Sequence, residues 1–169
     1  MTQIGTNPHG TRVLQKMIDY LNSEDLILSF ISILKPNVLN LMKDINGNHI
    51  IQKFINLIDI SYSKFIFEII TENIMDISTH KHGCCVLQKC IDIAKYPSRD
   101  LMLENLYNNS FDLITDQYGN YVIQYLLSLC DVEYNRKLIN NFLRDIVYLS
   151  KQKYSSNVIE KVKKFNTVF

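Results

Sequence analysis

The chain has no excess of charge of either sign: 18 Lys and Arg stand against 17 Asp and Glu, a formal net charge of +1. With only 21% charged residues, that balance argues against a disordered acidic or basic tail, a histone-like protein or a polybasic membrane binder. It leaves room for a nucleic-acid binder that works by shape and stacking. No run reaches the roughly 18 apolar residues that a bilayer span requires. The start, Met1-Thr2-Gln3-Ile4-Gly5, has neither a basic nor an apolar signal region, so no secretory signal is expected. Four cysteines, Cys84, Cys85, Cys90 and Cys130, show no C-x-x-C spacing, and adjacent Cys84 and Cys85 are poor disulfide partners. They read as small side chains of a protein in a reducing, cytoplasmic setting. There is no Gly-rich phosphate loop, no isolated Ser/His/Asp set and no paired carboxylates, so no enzyme, cofactor or metal is expected. What the chain does have is 47% hydrophobic residues in a length of 169. That suffices for one domain that buries about 70% of its unfolded surface.

Those residues are arranged periodically. Residues 10–16 read Gly-Thr-Arg-Val-Leu-Gln-Lys, and related phrases return at 47–53, 83–89, 119–125 and 155–161, with Ser155 in place of the Gly. The spacing is 37 residues once and 36 three times. An aliphatic residue lies six positions before each start: Ile4, Leu41, Ile77, Leu113 and Leu149. Apolar pairs follow three and four positions after it, from Val13-Leu14 to Val158-Ile159. Further apolar pairs come at seven and eight, except for Val162-Lys163 in the last copy. Pairs four apart form one buried helix face. The residues one, two and five after the start are predicted to share the opposite side, with the first and last stacked one turn apart.

Further helical patterns run between the copies: Glu24 to Leu34, Lys64 to Glu72, Arg99 to Leu106 and Arg136 to Arg144, with Ser23, Ser61 and Ser98 as N-cap candidates. The fold class predicted is an all-α, right-handed α-solenoid whose units each contain a core helix, a short turn and a motif-bearing helix. The first copy is expected to lack a preceding helix. No polar capping repeat is visible, so the chain reads as a fragment of a longer array or as one whose ends a partner covers.

The phrases Asp116-Gln117-Tyr118-Gly119-Asn120-Tyr121-Val122-Ile123-Gln124 and Ser155-Ser156-Asn157-Val158-Ile159-Glu160-Lys161 resemble the Pumilio (PUF) family of RNA-binding proteins, and the resemblance recurs in all five copies. It implies a crescent of three-helix repeats, each reading about one base of single-stranded RNA with two or three side chains. The strand would run antiparallel to the protein. The residues one and five after each start would meet base edges: Thr11 with Gln15, Asn48 with Gln52, Cys84 with Gln88, Asn120 with Gln124, and Ser156 with Glu160. The residues two after it, Arg12, His49, Cys85, Tyr121 and Asn157, would lie against base faces.

Side-chain chemistry agrees with that assignment. A carboxylate only accepts hydrogen bonds, and the Watson–Crick edge of guanine offers two adjacent donors, so Glu160 suits guanine. Gln both donates and accepts, which suits uracil or adenine. An Asn partner adds a second amide for uracil, whereas Thr or Cys leaves room for the adenine ring. By the family's code the copies would read, from last to first, G, U, A, U and A, giving 5′-GUAUA-3′ inside a UGUA-type element. The copies resemble the third to seventh of the usual eight, and the preceding U would belong to a repeat beyond this chain. The resemblance further implies regulation of messenger translation and decay through 3′ untranslated regions, with partners such as deadenylase complexes.

Cys85 departs from the family, because a thiol cannot stack as a plane does. Asn157 is not aromatic either, although the guanine-reading repeat of the family commonly carries Asn. Lys16, Lys53, Lys89 and Lys161 follow the reading residue and could touch phosphates or be solvated. His80, His82, Cys84 and Cys85 are of metal-ligand type, but the repeat register accounts for them. The alternatives are a PUF-like ribosome-biogenesis factor that binds structured RNA, and an armadillo- or HEAT-type protein scaffold.

Overall fold

The computed structural model describes residues 2–129 and 132–166, with side chains described as far as Val162. Cys130 and the trailing Phe165, Val168 and Phe169 side chains lie outside what is described. Every secondary-structure element among the described residues is helical. In chain order they are α1 (Thr2–Gly5), α2 (Gly10–Ile18), α3 (Glu24–Leu34), α4 (Val38–Lys43), α5 (Asn48–Leu57), α6 (Lys64–Glu72), α7 (Ile74–Ser78), α8 (Gly83–Ile93), α9 (Ser98–Asn108), α10 (Ser110–Thr115), α11 (Gly119–Ser128), α12 (Val132–Leu143), α13 (Ile146–Lys151) and α14 (Ser155–Asn166).

Each full copy is therefore a triplet, as the family resemblance implied, and not the pair that apolar periodicity alone predicts. The aliphatic residue six before the motif sits on a short helix of its own, and α1 places such a helix before the first copy as well. The chain divides into two compact units, one up to Leu103 and one from Glu104 onward. In the first unit α2 packs on α5 and α5 on α8; in the second α11 packs on α14. The periodic apolar residues supply the core. Leu41, Ile50, Ile51 and Phe54 are fully buried in the first unit, as are Leu113, Val122, Ile123 and Val158 in the second. Phe54 stacks on Phe30 of α3 at 5.8 Å and meets the edge of Phe65 of α6 at 6.3 Å. In the first copy Ile4, Val13 and Met17 are about half exposed, whereas their counterparts Leu41, Ile50 and Phe54 are fully buried. A neighbouring copy is what covers that face in a helical repeat.

The outer helices begin and end close to the predicted bounds, except that α12 starts at Val132. Ser23 caps α3 by accepting the Leu26 N–H at 3.4 Å. Ser61 does not cap α6. It lies in a 3-10 turn, and Asp59 accepts its N–H and hydroxyl at 2.9 and 2.7 Å. Ser98 is the first helical residue of α9. Contrary to the expectation from apolar runs, Glu24–Lys43 is long and apolar enough, by length and composition, to cross a bilayer. Here Phe30, Leu34, Val38, Leu41 and Met42 of that stretch are core residues of the first unit, while Leu26, Leu28 and Ile33 are about half exposed.

Candidate RNA interface

A sharp turn launches each motif helix, and its closure sets the site. In the first four copies the residue three before the start accepts two backbone amides. Asp44 Oδ1 takes the N–H groups of Asn46 and Gly47 at 2.8 and 2.7 Å. Asp116 Oδ1 takes those of Tyr118 and Gly119 at 2.8 and 2.7 Å. Asn7 and His80 do the same for copies one and three. No apolar period marks this position; its signal in the sequence is the aligned polar acceptors Asn7, Asp44, His80 and Asp116. The Gly at the start is there for space. A Cβ on Gly119 would lie 2.7 Å from the Leu113 carbonyl oxygen, and one on Gly47 would lie 2.9 Å from that of Leu41. The fifth copy carries a Cβ at this position, and Ser155 donates its hydroxyl to the corresponding carbonyl of Leu149 at 2.6 Å.

The second residue of the motif is exposed in every copy: Arg12, His49, Cys85, Tyr121 and Asn157. The fifth is half-buried as Gln15, Gln52, Gln88 and Gln124, and exposed as Glu160. The first differs from expectation. Thr11, Asn48, Cys84 and Asn120 are buried and only Ser156 is half-buried, so this side chain turns inward and does not share the open face. Thr11 donates its hydroxyl to the Asn46 carbonyl at 3.1 Å, and Asn46 returns its amide to the Thr6 carbonyl at 2.9 Å, which ties the first two turns together. The Cys84 thiol donates to the Lys81 carbonyl at 3.5 Å. Burial, then neighbouring Cys85, pushes its pKa up to about 12, so it stays a neutral thiol.

In copies two and four the inward turn fixes a polarity. Asn48 Nδ2 donates to the carbonyls of Asp44 and Ile45 at 2.9 and 2.8 Å. Two carbonyl partners identify that atom as the amide nitrogen, so Oδ1 must face the other way. There it accepts from Gln52 Nε2 at 2.8 Å. Asn120 repeats the arrangement with Asp116, Gln117 and Gln124 at 2.9, 3.0 and 3.1 Å. The turn orients the Asn and the Asn orients the Gln. What each Gln has left is its Oε1 and one N–H, an acceptor beside a donor.

The residues five after the start are followed by Lys in four copies, and two of these lysines staple neighbours together. Lys53 pairs with Asp19, just past the end of α2, at 2.7 Å. Lys161 donates to the Gln124 carbonyl at 2.6 Å and to Ser128 at the end of α11. Lys16 is mostly exposed and 3.7 Å from Asp19, and Lys89 is exposed. In the second unit Tyr121, Gln124, Asn157, Glu160 and Lys161 line an open cavity of about 380 Å³. An aromatic plane, an amide, a carboxylate and an ammonium group thus converge where copies four and five meet. Cys90 is buried core, and His80, the first of the metal-type residues, is engaged in its turn.

Residues 1–28, 37–71, 73–106, 109–143 and 145–162 match the Pumilio-family RNA binding repeat. The chain belongs to the Pumilio family. That sets aside the armadillo- or HEAT-type scaffold. A Pumilio domain-containing protein of Schizosaccharomyces pombe is 47% identical over 72 residues, covering 43% of this chain and 11% of the relative. The suppressor protein MPT5 of Saccharomyces cerevisiae is 44% identical over 78 residues, 41% of this chain and 9% of its own. The Puf4 RNA binding domain, solved bound to an HO endonuclease RNA 3′ UTR recognition sequence, superposes with a TM-score of 0.90 at 37% identity, covering 96% of this chain and 51% of that one. The RNA-binding domain of yeast Puf5p bound to SMX2 RNA gives 0.80 at 40% identity, covering 95% and 47%. The chain thus spans about half the length of those solved domains and about a tenth of the curated relatives.

Proposed function

We infer that the chain binds single-stranded RNA with sequence specificity, one base per copy, along the exposed side of the motif helices. The observation that carries this reading is the five-fold recurrence, at fixed positions on α2, α5, α8, α11 and α14, of one exposed residue and, three further on, a half-buried amide in four copies and an exposed carboxylate in the fifth. Nothing in packing requires an amide four times and a carboxylate once at that position. Solved relatives of the same fold, bound to RNA, support it.

Glu160, with only acceptors, takes the two donors of guanine. Gln52 and Gln124 offer an acceptor beside a donor, which meets the N3–H and a carbonyl of uracil. Asn48 and Asn120 act on the base through them. Thr11 and Cys84 are smaller and turned inward, so Gln15 and Gln88 have space for adenine beside them. The site is 5′-GUAUA-3′, preceded by U in a UGUA-type element. Tyr121 and His49 supply ring planes and Arg12 a guanidinium plane for stacking. The cellular role is control of messenger translation and decay in the cytoplasm, through 3′ untranslated sequences and a deadenylase partner.

The test is competition binding against a labelled 5′-UGUAUA-3′ RNA with each base changed in turn. One substitution within GUAUA typically weakens recognition by about 1–3 kcal/mol, the value of a good base contact. Equal competition by all the variants would refute a base-reading surface and favour the structured-RNA alternative.

A further inference from the structure

The third copy differs from copies one, two and four at the atom that closes its turn. Copies two and four use a carboxylate oxygen at 2.7–2.8 Å, and copy one uses the Asn7 amide oxygen at 2.9 and 3.0 Å. In copy three the acceptor is His80 Nδ1, which takes the N–H groups of His82 and Gly83 at 3.3 and 3.4 Å. An imidazole nitrogen accepts only while it carries no proton, and in the imidazolium both nitrogens are donors. Protonation therefore sets three donors against one another with no acceptor between them. A carboxylate or an amide has no such failure near neutral pH.

The surroundings favour the neutral form. Burial, first, then the charges of Lys43 on α4 and His82 in the same turn, lower the His80 pKa from its ordinary 6.5, and Asp76 on α7 opposes them. Asp76 is itself paired with Lys43 at 2.6 Å. Cys84 on α8 is a neutral thiol, and Lys81 in the turn is exposed.

We propose that His80 is a pH-sensitive positioning residue of the third copy: its neutral Nδ1 closes the turn that launches α8, and protonation opens that turn and displaces Cys84, Cys85 and Gln88. The sign follows from linkage. A proton binds the unfolded chain more readily than the closed turn, so the closed turn is fully favoured above about pH 6.5. The advantage is lost as pH falls from there and levels off below the folded pKa. The consequence for RNA rests on the reading proposed above, but the turn chemistry does not.

The experiment is a ¹⁵N NMR titration of the whole chain from about pH 8 to about pH 5, spanning the histidine range. The Gly83 and His82 amides are expected to move with the His80 imidazole at a midpoint below 6.5, while the Gly47 and Gly119 amides stay fixed. In His80→Asp the Gly83 amide is expected to move less than in the wild type over the same range, since only His82 then remains beside it. In parallel, affinity for 5′-UGUAUA-3′ between about pH 7.5 and about pH 5.5 is compared in the two proteins. The wild type should lose about fivefold more than His80→Asp, the equivalent of one capping hydrogen bond. A Gly83 amide that stays fixed while His80 titrates, or the same RNA loss in both proteins, overturns the proposal. If neither protein binds the RNA at any pH, the RNA reading fails and the amide titration alone decides the role of His80.

Discussion

At the scale of single residues, the site is a set of orientations fixed from below. Asn120 carries no open face of its own; it is buried, donates to two carbonyls and accepts from Gln124. Asn120→Ala removes the group that holds the Gln124 amide in one sense. The expected result is a loss of uracil preference at that base by about tenfold with a smaller loss of total affinity, read from competition with the four base variants. Cys85 makes the opposite case, an exposed position where a plane is missing. Base stacking contributes about 1–3 kcal/mol, so Cys85→Tyr should tighten RNA binding by about fivefold or more. Unchanged affinity would mean that no base reaches that side chain. Gly119 tests the turn itself. Gly119→Ala puts a methyl group 2.7 Å from the Leu113 carbonyl oxygen and should destabilise by about 1–3 kcal/mol, as overpacking does. Gly119→Ser should cost less, because the fifth copy shows a serine hydroxyl bonded to that same carbonyl position. Urea unfolding of the two variants gives the comparison.

At the scale of elements, the period of the apolar residues made the motif helices and outer helices legible in advance. Glu24–Leu34 and Lys64–Glu72 fall where the pattern puts them. The short helices were not legible as helices, because four to six residues carry too little periodicity to separate from a turn. Likewise, a 3.6-residue wheel places the first motif residue near the open side, but in Asn48, Cys84 and Asn120 the side chain turns back to carbonyls of the turn before its helix. A helical wheel carries no information on bonds made to the chain that precedes the helix. The lysine staples belong to this scale too. The hydrogen bond from Lys53 is the main cause that keeps the Asp19 carboxyl below its ordinary 3.8, with further help from the charges of Lys53 and Lys16. Lys53→Met should lower the melting temperature slightly, and the gap from wild type should shrink at high salt. It should also close as pH falls through the lowered Asp19 pKa, since a depressed carboxylate contributes stability only while ionised. A gap that persists at low pH would mean that the lost packing of the lysine stem, not the charge pair, is responsible.

At the scale of the whole molecule, recognition falls to repetition and not to net charge. A chain at +1 with two of its four motif lysines engaged between helices offers few cations for phosphates. The slope of log binding constant against log salt should therefore be no steeper than about −2, the value for about three neutralised phosphates on a single strand. A steep slope without base preference would instead describe a basic-groove binder. The most direct measurement of the base-reading claim is fluorescence polarisation of labelled 5′-UGUAUA-3′ and of the same RNA with its G changed to U, against wild type and Ser156→Asn/Glu160→Gln. The substitution gives the fifth copy the Asn/Gln pair of copies two and four. Wild type should prefer the G-containing RNA and the double variant the U-containing one, each by about tenfold or more. Equal binding of both RNAs by both proteins would contradict it.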